Sequence, residues 1–215
     1  MHCFWSKGFE ATSIRDLTQE MGITAASLYN AFGDKQNLYR RALCHYLDHS
    51  VRDRIVRLEG SLPPAAAVAA FFAEVIDRSV RDRQRKGCML VNAALEVARH
   101  DLKMRRLVAN ELSLIEAFFR RCVTKAQQAG ELPTTADPEG LGRLLLGVLL
   151  GIRVLARTRP QRSLLEGVAR PALELLGVVS ATSGRVSRPA THARASIVRP
   201  RQARRASTEP IMQET

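Results

Sequence analysis

Two short amphipathic segments separated by one glycine, within residues 13–35 (SIRDLTQEMGITAASLYNAFGDK), constrain the fold of this chain more than any other feature. In the first segment Ile14, Leu17 and Met21 recur at helical spacing and therefore share one face. In the second segment Leu28 and Phe32 are four residues apart, which predicts the buried side of another helix. The range therefore predicts two helices that meet across a tight turn.

Both predicted helices carry start and stop signals. Ser13 is followed three positions later by Asp16, a capping pattern in which the hydroxyl accepts a backbone N–H of the first turn. Gly22 tolerates the left-handed conformation that ends a helix, and Thr24 caps the second helix. This layout is typical of a helix-turn-helix that reads DNA. The outward-facing residues of the second helix are small or polar and permit close approach to a groove: Ala25, Ala26, Ser27, Tyr29 and Asn30.

The sequence from Lys7 to Leu43 (KGFEATSIRDLTQEMGITAASLYNAFGDKQNLYRRAL) resembles the N-terminal domain of the TetR family of bacterial transcriptional regulators. The resemblance includes FW-x-KG-aromatic before the first cap, the MGI turn, SLY-x-x-F in the second helix and G-D-K-x-x-L opening the next. It implies an all-α fold, with a three-helix DNA-binding head followed by a helical ligand-binding and dimerisation bundle. It also implies a homodimer that binds a palindromic operator in double-stranded DNA and releases it when a small-molecule effector enters the body. Repression is the family's usual output.

The resemblance also implies which residues touch DNA. Thr24, Tyr29 and Lys35 are the predicted phosphate contacts, and Ser27 and Asn30 are the predicted base readers. The two alanines of the second helix are available to thymine methyl groups. The alternative for Ser27 and Lys35 is an ordinary exposed side chain. The full predicted set is Thr12, Ser13, Thr24, Ala25, Ala26, Ser27, Tyr29, Asn30 and Lys35.

The first helix of the head is expected to be short. Residues 1–7 (MHCFWSK) read as the end of a helix that Gly8 stops, whereas the family has a longer first helix. Either the natural start lies upstream of Met1, or the first helix is truncated and its N-terminus frays. The second case leaves an alternative function: a regulator impaired in DNA binding that acts only as a dimeric small-molecule-binding protein.

The formal charge of +12 points to polyanionic partners. Lys and Arg outnumber Asp and Glu by eight to six in residues 1–57, by 18 to 13 in residues 58–177 and by seven to two in residues 178–215. The excess is not concentrated in the head. Affinity for DNA is therefore expected to depend on a few positioned contacts and on dimer geometry.

Other protein classes find little support. The four cysteines are scattered without C-x-x-C spacing, so neither a zinc site nor a redox pair is predicted. His45 and His49 stand four residues apart, but no HExxH, Ser-His-Asp set or phosphate loop accompanies them. We therefore expect no metal, no cofactor and no enzyme; a helical enzyme would need polar residues converging in a cavity. The longest apolar stretch, Leu144–Ile152, is far short of the roughly 20 residues that span a bilayer, and no signal peptide is visible, which predicts a cytoplasmic protein without a membrane partner.

The rest of the chain predicts a helical body in residues 46–177, after a DNA-binding domain in residues 1–45. A connecting helix is expected from Lys35 to about residue 57, with Leu38, Leu43, Tyr46 and Leu47 inward. Pro63 and Pro64 mark the start of the body. Its predicted helices cover about residues 65–83, ten residues after Gly87, 102–129, 139–157 and 161–176, with a solvated basic end at 81–86 and an interruption near Pro171.

The segment GCMLVNAALE, residues 87–96, resembles a motif of one TetR subgroup at the base of the effector-binding body. Cys88 and Asn92 share a helical face, and a buried Asn92 must bond to the protein or to a ligand. The alternatives are a core cysteine with an asparagine bonded to backbone, or a redox-sensing Cys88. The predicted ligand pocket is Phe72, Val75, Cys88, Asn92, Leu95 and Phe118.

Gly147-x-x-x-Gly151 lies in the apolar helix that corresponds to the family's dimerisation helix. Two missing side chains permit close helix approach, either between two subunits in a four-helix bundle or within one chain. The predicted dimer interface is Leu146, Gly147, Leu150, Gly151 and Leu173.

Residues 178–215 predict a disordered basic tail that is rich in Ser, Ala, Pro and Arg. The tail would add non-specific, salt-sensitive affinity for DNA or be a solvated extension. Its cations are Arg185, Arg188, Arg194, Arg199, Arg201, Arg204 and Arg205.

Overall fold

The computed structural model describes residues 1–178, and all regular structure in this part of the chain is helical. The predicted all-α class is confirmed. The predicted basic tail, with its seven arginines, lies outside the described residues. No helix within residues 1–178 combines the length and apolar character needed to cross a membrane. The helices are α1 (His2–Lys7), α2 (Ile14–Met21), α3 (Ala25–Phe32), α4 (Lys35–Leu47), α5 (Asp53–Ser61), α6 (Pro64–Arg81), α7 (Met89–Glu96), α8 (Leu102–Gln128), α9 (Pro138–Thr158) and α10 (Arg162–Glu174).

The head packs α1, α2 and α3 against the start of α4. Phe4 is buried, and its ring lies edge-on to Tyr39 with the centroids 4.9 Å apart. Leu17 of α2 and Leu28 of α3 are buried as predicted. Met21, the last residue of α2, is 41% exposed, so the predicted apolar face of α2 does not extend to its end.

A continuous helical path from Lys35 to Ser61 connects the head to the body, slightly longer than predicted. Between α4 and α5 the helix widens into a π-helical turn at Asp48–Arg52. From this turn Arg52 reaches α8, where Oε2 of the buried Glu111 accepts from its Nη2 at 2.8 Å and from its Nε at 3.2 Å. The four predicted inward residues of the path are all buried: Leu38, Leu43, Tyr46 and Leu47.

The body is a bundle in which α8 packs on α9 and α6, while α10 packs on α9 and α6. At its centre four phenylalanine rings from α6 and α8 lie with neighbouring centroids 5.2–6.4 Å apart. Such aromatic packing buries a large apolar area per residue. The rings belong to Phe71, Phe72, Phe118 and Phe119.

α10 continues through Pro171, where an interruption was expected. A proline in a helix lacks a backbone N–H and crowds the carbonyl four residues earlier. Here the ring is on the exposed side near the end of the helix, and the residue four positions before it is Gly167. The Leu175 N–H still donates to the Pro171 carbonyl at 3.4 Å, so the last turn stays helical.

Candidate nucleic-acid interface and its junction with the body

The start of α2 is fixed by a reciprocal capping box. The Asp16 N–H donates to Ser13 Oγ at 3.0 Å, and the Ser13 N–H donates to Asp16 Oδ2 at 2.8 Å. Lys7 of α1 adds an ion pair to Asp16 at 2.7 Å. The Lys7 ammonium, together with the Ser13 hydroxyl and amide, holds the pKa of the Asp16 carboxyl well below its usual range. The box therefore fixes the entry of α2 and joins it to α1.

Thr24 caps α3 in the way the sequence predicts. The Ser27 N–H donates to Thr24 Oγ1 at 3.1 Å, and the two hydroxyl oxygens are 2.9 Å apart. Leu28 points into the core and is fully buried, which turns the opposite face of this short helix to solvent. All five predicted contact residues of the helix body are exposed: Ala25, Ala26, Ser27, Tyr29 and Asn30.

Thr12 is a correction to the predicted contact set. Its side chain is completely buried, and Oγ1 donates to the Gly8 carbonyl at 2.6 Å, with the Cys3 carbonyl 3.3 Å away. A hydroxyl spent on these carbonyls has no access to a phosphate. Thr12 therefore ties α1 to the turn before α2, whereas the neighbouring Ser13 is exposed.

Lys35 opens α4 at the edge of this surface and is half-buried. Its ammonium lies 4.4 Å from the centroid of the Phe9 ring and donates to the Glu10 carbonyl at 3.4 Å. Both contacts hold the cation against the head while part of it stays accessible. Its predicted role as a phosphate contact is compatible with this position.

The predicted interior pocket is only partly assembled. Val75 and Cys88 line a cavity of about 20 Å³ between the connecting helix, α6, α7, α8 and α9. The Tyr46 hydroxyl donates to Cys88 Sγ at 3.6 Å. Phe72 and Phe118 lie instead in the aromatic cluster of the bundle core and do not line this cavity. The cavity has room for about one water molecule, so it does not hold a larger ligand in this conformation.

Asn92 and Leu95 do not face an internal ligand space. Asn92 is buried and bonded to the protein, because its Nδ2 donates to the Lys86 carbonyl at 3.1 Å and its Oδ1 accepts from Arg157 Nη1 at 3.0 Å. Of the two alternatives for this asparagine, bonding to the protein is therefore the one observed. Leu95 is 71% exposed, so its assignment to the pocket was wrong. It lies on the side of α7 that faces away from the bundle.

Three polar contacts join the head to the body. Trp5 Nε1 donates to the Gly87 carbonyl at 3.0 Å, and the Phe9 N–H donates to Glu96 Oε2 at 2.8 Å. Arg40 of α4 pairs with Asp101 at 2.9 Å. These contacts place both ends of α7 against the head, so a movement of α7 bears directly on α1 and α4.

The basic segment 81–86, predicted to be the solvated end of α6, is mostly exposed, and it also borders a cleft of about 400 Å³ between head and body. Trp5 of α1 and Tyr46 of α4 line one side of this cleft, and Arg78 of α6 and Arg153 of α9 line the other. Sequence reasoning missed these four residues. The only signal was the density of cations after residue 77, which does not show that Arg153 lies opposite them.

The outer face of α9 is apolar and unoccupied within the described chain. A Cβ built on Gly147 or Gly151 would meet nothing within 4 Å among residues 1–178, so these glycines are not required for helix packing within that part of the chain. Leu144 and Val154, on the same face, are 43% and 51% exposed. Among the described residues, the internal-packing alternative for this motif is therefore not supported. The remaining predicted interface residues are half-buried beside it: Leu146, Leu150 and Leu173.

Two family models match the chain. The one described as "Bacterial regulatory proteins, tetR family" covers residues 1–42, and the one described as "Tetracyclin repressor-like, C-terminal domain" covers residues 64–171. YezE, an uncharacterized HTH-type transcriptional regulator of Bacillus subtilis strain 168, is 29% identical over 175 residues, which are 80% of this chain and 90% of YezE. ComR, an HTH-type transcriptional repressor of Escherichia coli strain K12, is 26% identical over 178 residues, which are 81% of this chain and 84% of ComR.

Solved structures of the same family also match the chain. A cysteine mutant of the TetR family transcriptional regulator CifR, complexed with 26-base-pair double-strand operator DNA, is 34% identical with a TM-score of 0.71, and the match covers 80% of this chain and 90% of that one. A TetR transcriptional regulator from Chloroflexus aurantiacus shares the fold, with a TM-score of 0.72 at 23% identity over 81% of this chain and 88% of that one. The chain belongs to the TetR family and is a DNA-binding transcriptional regulator, not an enzyme.

Proposed function

We propose that this regulator is a homodimeric repressor that binds a roughly palindromic operator and releases it when a small molecule binds the body. In this proposal residues 1–45 contact DNA, and residues 46–177 carry the effector site and the dimer interface. The exposed face of α3 carries the proposal, because a capped, solvent-facing helix of small and polar residues fits the major groove.

The contacts on that face divide by chemistry. Ser27 and Asn30 offer a hydroxyl and an amide to base edges, and Tyr29, 47% exposed, offers a phenol to a phosphate. The exposed Ser13 and Thr24 cap the two motif helices, whose N-terminal N–H groups favour phosphate oxygens. Since the head carries few surplus cations, affinity depends on these contacts and on pairing two heads. The half-site centres are expected about 34–36 Å apart or at a multiple of this distance.

Repression and release are supported from two directions. Relatives such as ComR are named as repressors, which supports repression over activation. The head–body contacts at Gly87, Glu96 and Asp101 support release, because a ligand that favours one position of α7 shifts the head with it.

The test is operator binding by the full chain, measured by fluorescence anisotropy with the intergenic DNA beside its gene. Wild-type protein is expected to form a complex that survives competitor DNA. Tyr29→Ala and Asn30→Ala are each expected to weaken it by roughly tenfold or more, the usual cost of a lost base or phosphate contact. The matched control is Gln36→Ala, an exposed residue of α4 outside the predicted contact set.

Equal affinity for wild type and both α3 variants would refute the assigned surface. Absence of any specific complex would favour the alternative of a ligand-binding protein impaired in DNA binding. Thr12→Val serves as a further check, because its effect should appear in the stability of the head and not in the salt dependence of binding.

A further inference from the structure

The cleft between head and body, here called the junction cleft, is lined by an unusual concentration of cations. Its walls come from α1, α4, the end of α6, the loop 82–88 and α9, and its volume is about 400 Å³. Five lysine and arginine side chains line it, against one carboxylate, that of Asp82. The cations are Arg78, Arg81, Arg83, Lys86 and Arg153.

The single carboxylate is already engaged by the loop backbone. Asp82 Oδ2 accepts the Gly87 N–H at 3.2 Å. Arg81 pairs with Asp77 at 3.7 Å, but within residues 1–178 no carboxylate lies within 4.0 Å of Arg78, Arg83 or Arg153. The cleft therefore keeps an uncompensated positive charge.

The positive charge of the cleft affects the buried residues next to it. Arg153 Nη1 donates to the hydroxyl of the buried Ser79 at 3.3 Å, which holds it against α6. Burial, together with the nearby Arg153 and Arg78 guanidinium groups, lowers the pKa of Arg54 behind the cleft. Burial raises the pKa of the Tyr46 phenol, and the same two arginines act in the opposite direction. Arg78 and Arg153 thus act together at one point of the wall.

The loop that supplies Lys86 has a costly backbone conformation. Arg85 has φ of 52°, which non-glycine residues rarely adopt, and Gly87 follows at 69°. This turn places the Lys86 ammonium 4.6 Å from the centroid of the Trp5 ring. Backbone strain of this kind tends to occur where a loop serves a binding site.

We propose that the junction cleft binds a small organic anion bearing carboxylate or phosphate groups. Guanidinium groups bind both kinds of oxyanion through paired, charge-assisted hydrogen bonds, and Arg78 and Arg153 are the primary ligands. Arg83 and Lys86 close the site from the loop, and Trp5 gives it an aromatic wall. The volume suits a small metabolite, since such sites usually enclose roughly 300–1,000 Å³. Arg153 also lines the small interior cavity, so the two spaces share this wall residue, while the other four cations line only the junction cleft.

Anion binding can be followed by the fluorescence of Trp5, because it lines the cleft and is the only tryptophan of the chain. The full-length protein is titrated with citrate and, separately, with pyrophosphate while its tryptophan fluorescence is followed; NaCl at matched ionic strength is the reference. A saturable change with citrate or pyrophosphate, absent with NaCl, is expected, and the two titrations distinguish a carboxylate from a phosphate site. No saturable change with either anion up to about 10 mM, the weak limit of specific binding, would overturn the proposal.

The double variant Arg78→Ala/Arg153→Ala is expected to weaken anion binding by roughly tenfold or more. Arg99→Ala/Arg106→Ala removes the same charge from exposed positions elsewhere and should leave binding unchanged. If the alanine variant does not fold, Arg78→Gln/Arg153→Gln keeps the side-chain stems and tests the same loss of charge.

Unchanged anion affinity in the folded cleft variant would overturn the proposal. A second result would also overturn it. If the cleft variant, measured without anion, binds operator as weakly as Tyr29→Ala does, the cleft is a DNA-binding surface.

Discussion

Gly8, at the end of α1, holds a backbone conformation that other residues scarcely enter. Its φ of 85° and ψ of 173° lie in a region essentially restricted to glycine. A Cβ built there would also stand 2.8 Å from Oε2 of Glu96, the atom that accepts the Phe9 N–H. We expect Gly8→Ala to lower the free energy of unfolding by roughly 2–3 kcal/mol, measured by urea denaturation followed by circular dichroism.

Gly22→Ala is the matched control. Gly22 also has positive φ, 65°, but a Cβ there would meet nothing within 4 Å in the described part of the chain. Only the local backbone cost remains, about 1 kcal/mol. Equal losses in the two variants would show that crowding against Glu96 adds nothing, and an unchanged Gly8→Ala protein would contradict the assigned conformation.

Single residues were predictable where a local signal decides their contacts. Ser13 and Thr24 cap helices as expected, because capping depends on spacing within four residues. The contacts of Thr12 and Leu95 could not be predicted in this way, because they depend on how the helices pack. Thr12 is next to an exposed serine but turns toward the Gly8 carbonyl, and Leu95 belongs to an apolar segment whose other side packs inward.

At the scale of elements, the capping box makes the stability of α2 depend on pH. The pKa of Asp16 is lowered in the folded state by Lys7 and Ser13. A carboxylate with a lowered pKa stabilises the fold above its unfolded value of about 4 and loses that contribution as the pH falls through the folded value. Asp16→Asn should therefore be less stable than wild type at neutral pH, and the difference should shrink in thermal melts recorded at increasingly acidic pH.

Glu20→Gln, on the same helix, is the control for this titration. Glu20 is exposed and forms no ion pair within the part of the chain that the structure describes. Its replacement should leave the melting temperature nearly unchanged at neutral pH. A difference between wild type and Asp16→Asn that stays constant over the whole pH range would contradict a role for the ionised carboxylate.

The helices were predictable to within a few residues, since their ends carry Gly, Pro or capping signals. The π-helical turn at Asp48–Arg52 was not, because no local residue type specifies it and one of its side chains contacts Glu111, 59 positions away. The continuity of α10 through Pro171 was also missed. A proline in the sequence predicts a helix break, because it lacks a backbone N–H. That this proline is exposed and near the helix end depends on the tertiary structure, which the local sequence does not show.

At the scale of the whole molecule, the head and body are joined by contacts between residues far apart in sequence. Trp5 and Gly87 are 82 positions apart, and Phe9 and Glu96 are 87 apart. Neither a motif nor a hydrophobic period connects such positions, so the junction and its cleft emerge only from the fold. The proposed DNA-reading surface differs in this respect, because one short segment contains nearly all of it.

The apolar face of α9 allows the proposed dimer to be tested separately from folding. Because a Cβ added at Gly147 or Gly151 would meet nothing within 4 Å among residues 1–178, Gly147→Glu/Gly151→Glu should leave the fold intact. It should place two charges in the proposed subunit interface, so light scattering should show a monomer and operator affinity should fall by roughly a hundredfold or more, since two linked heads bind far more tightly than one. Gly60→Glu, on α5, is the control: among residues 1–178 its Cβ would also meet nothing within 4 Å, and it belongs to neither α9 nor α10. A glycine variant that remains dimeric and binds operator normally would place the interface elsewhere, whereas a monomeric variant with full affinity would show that one head suffices.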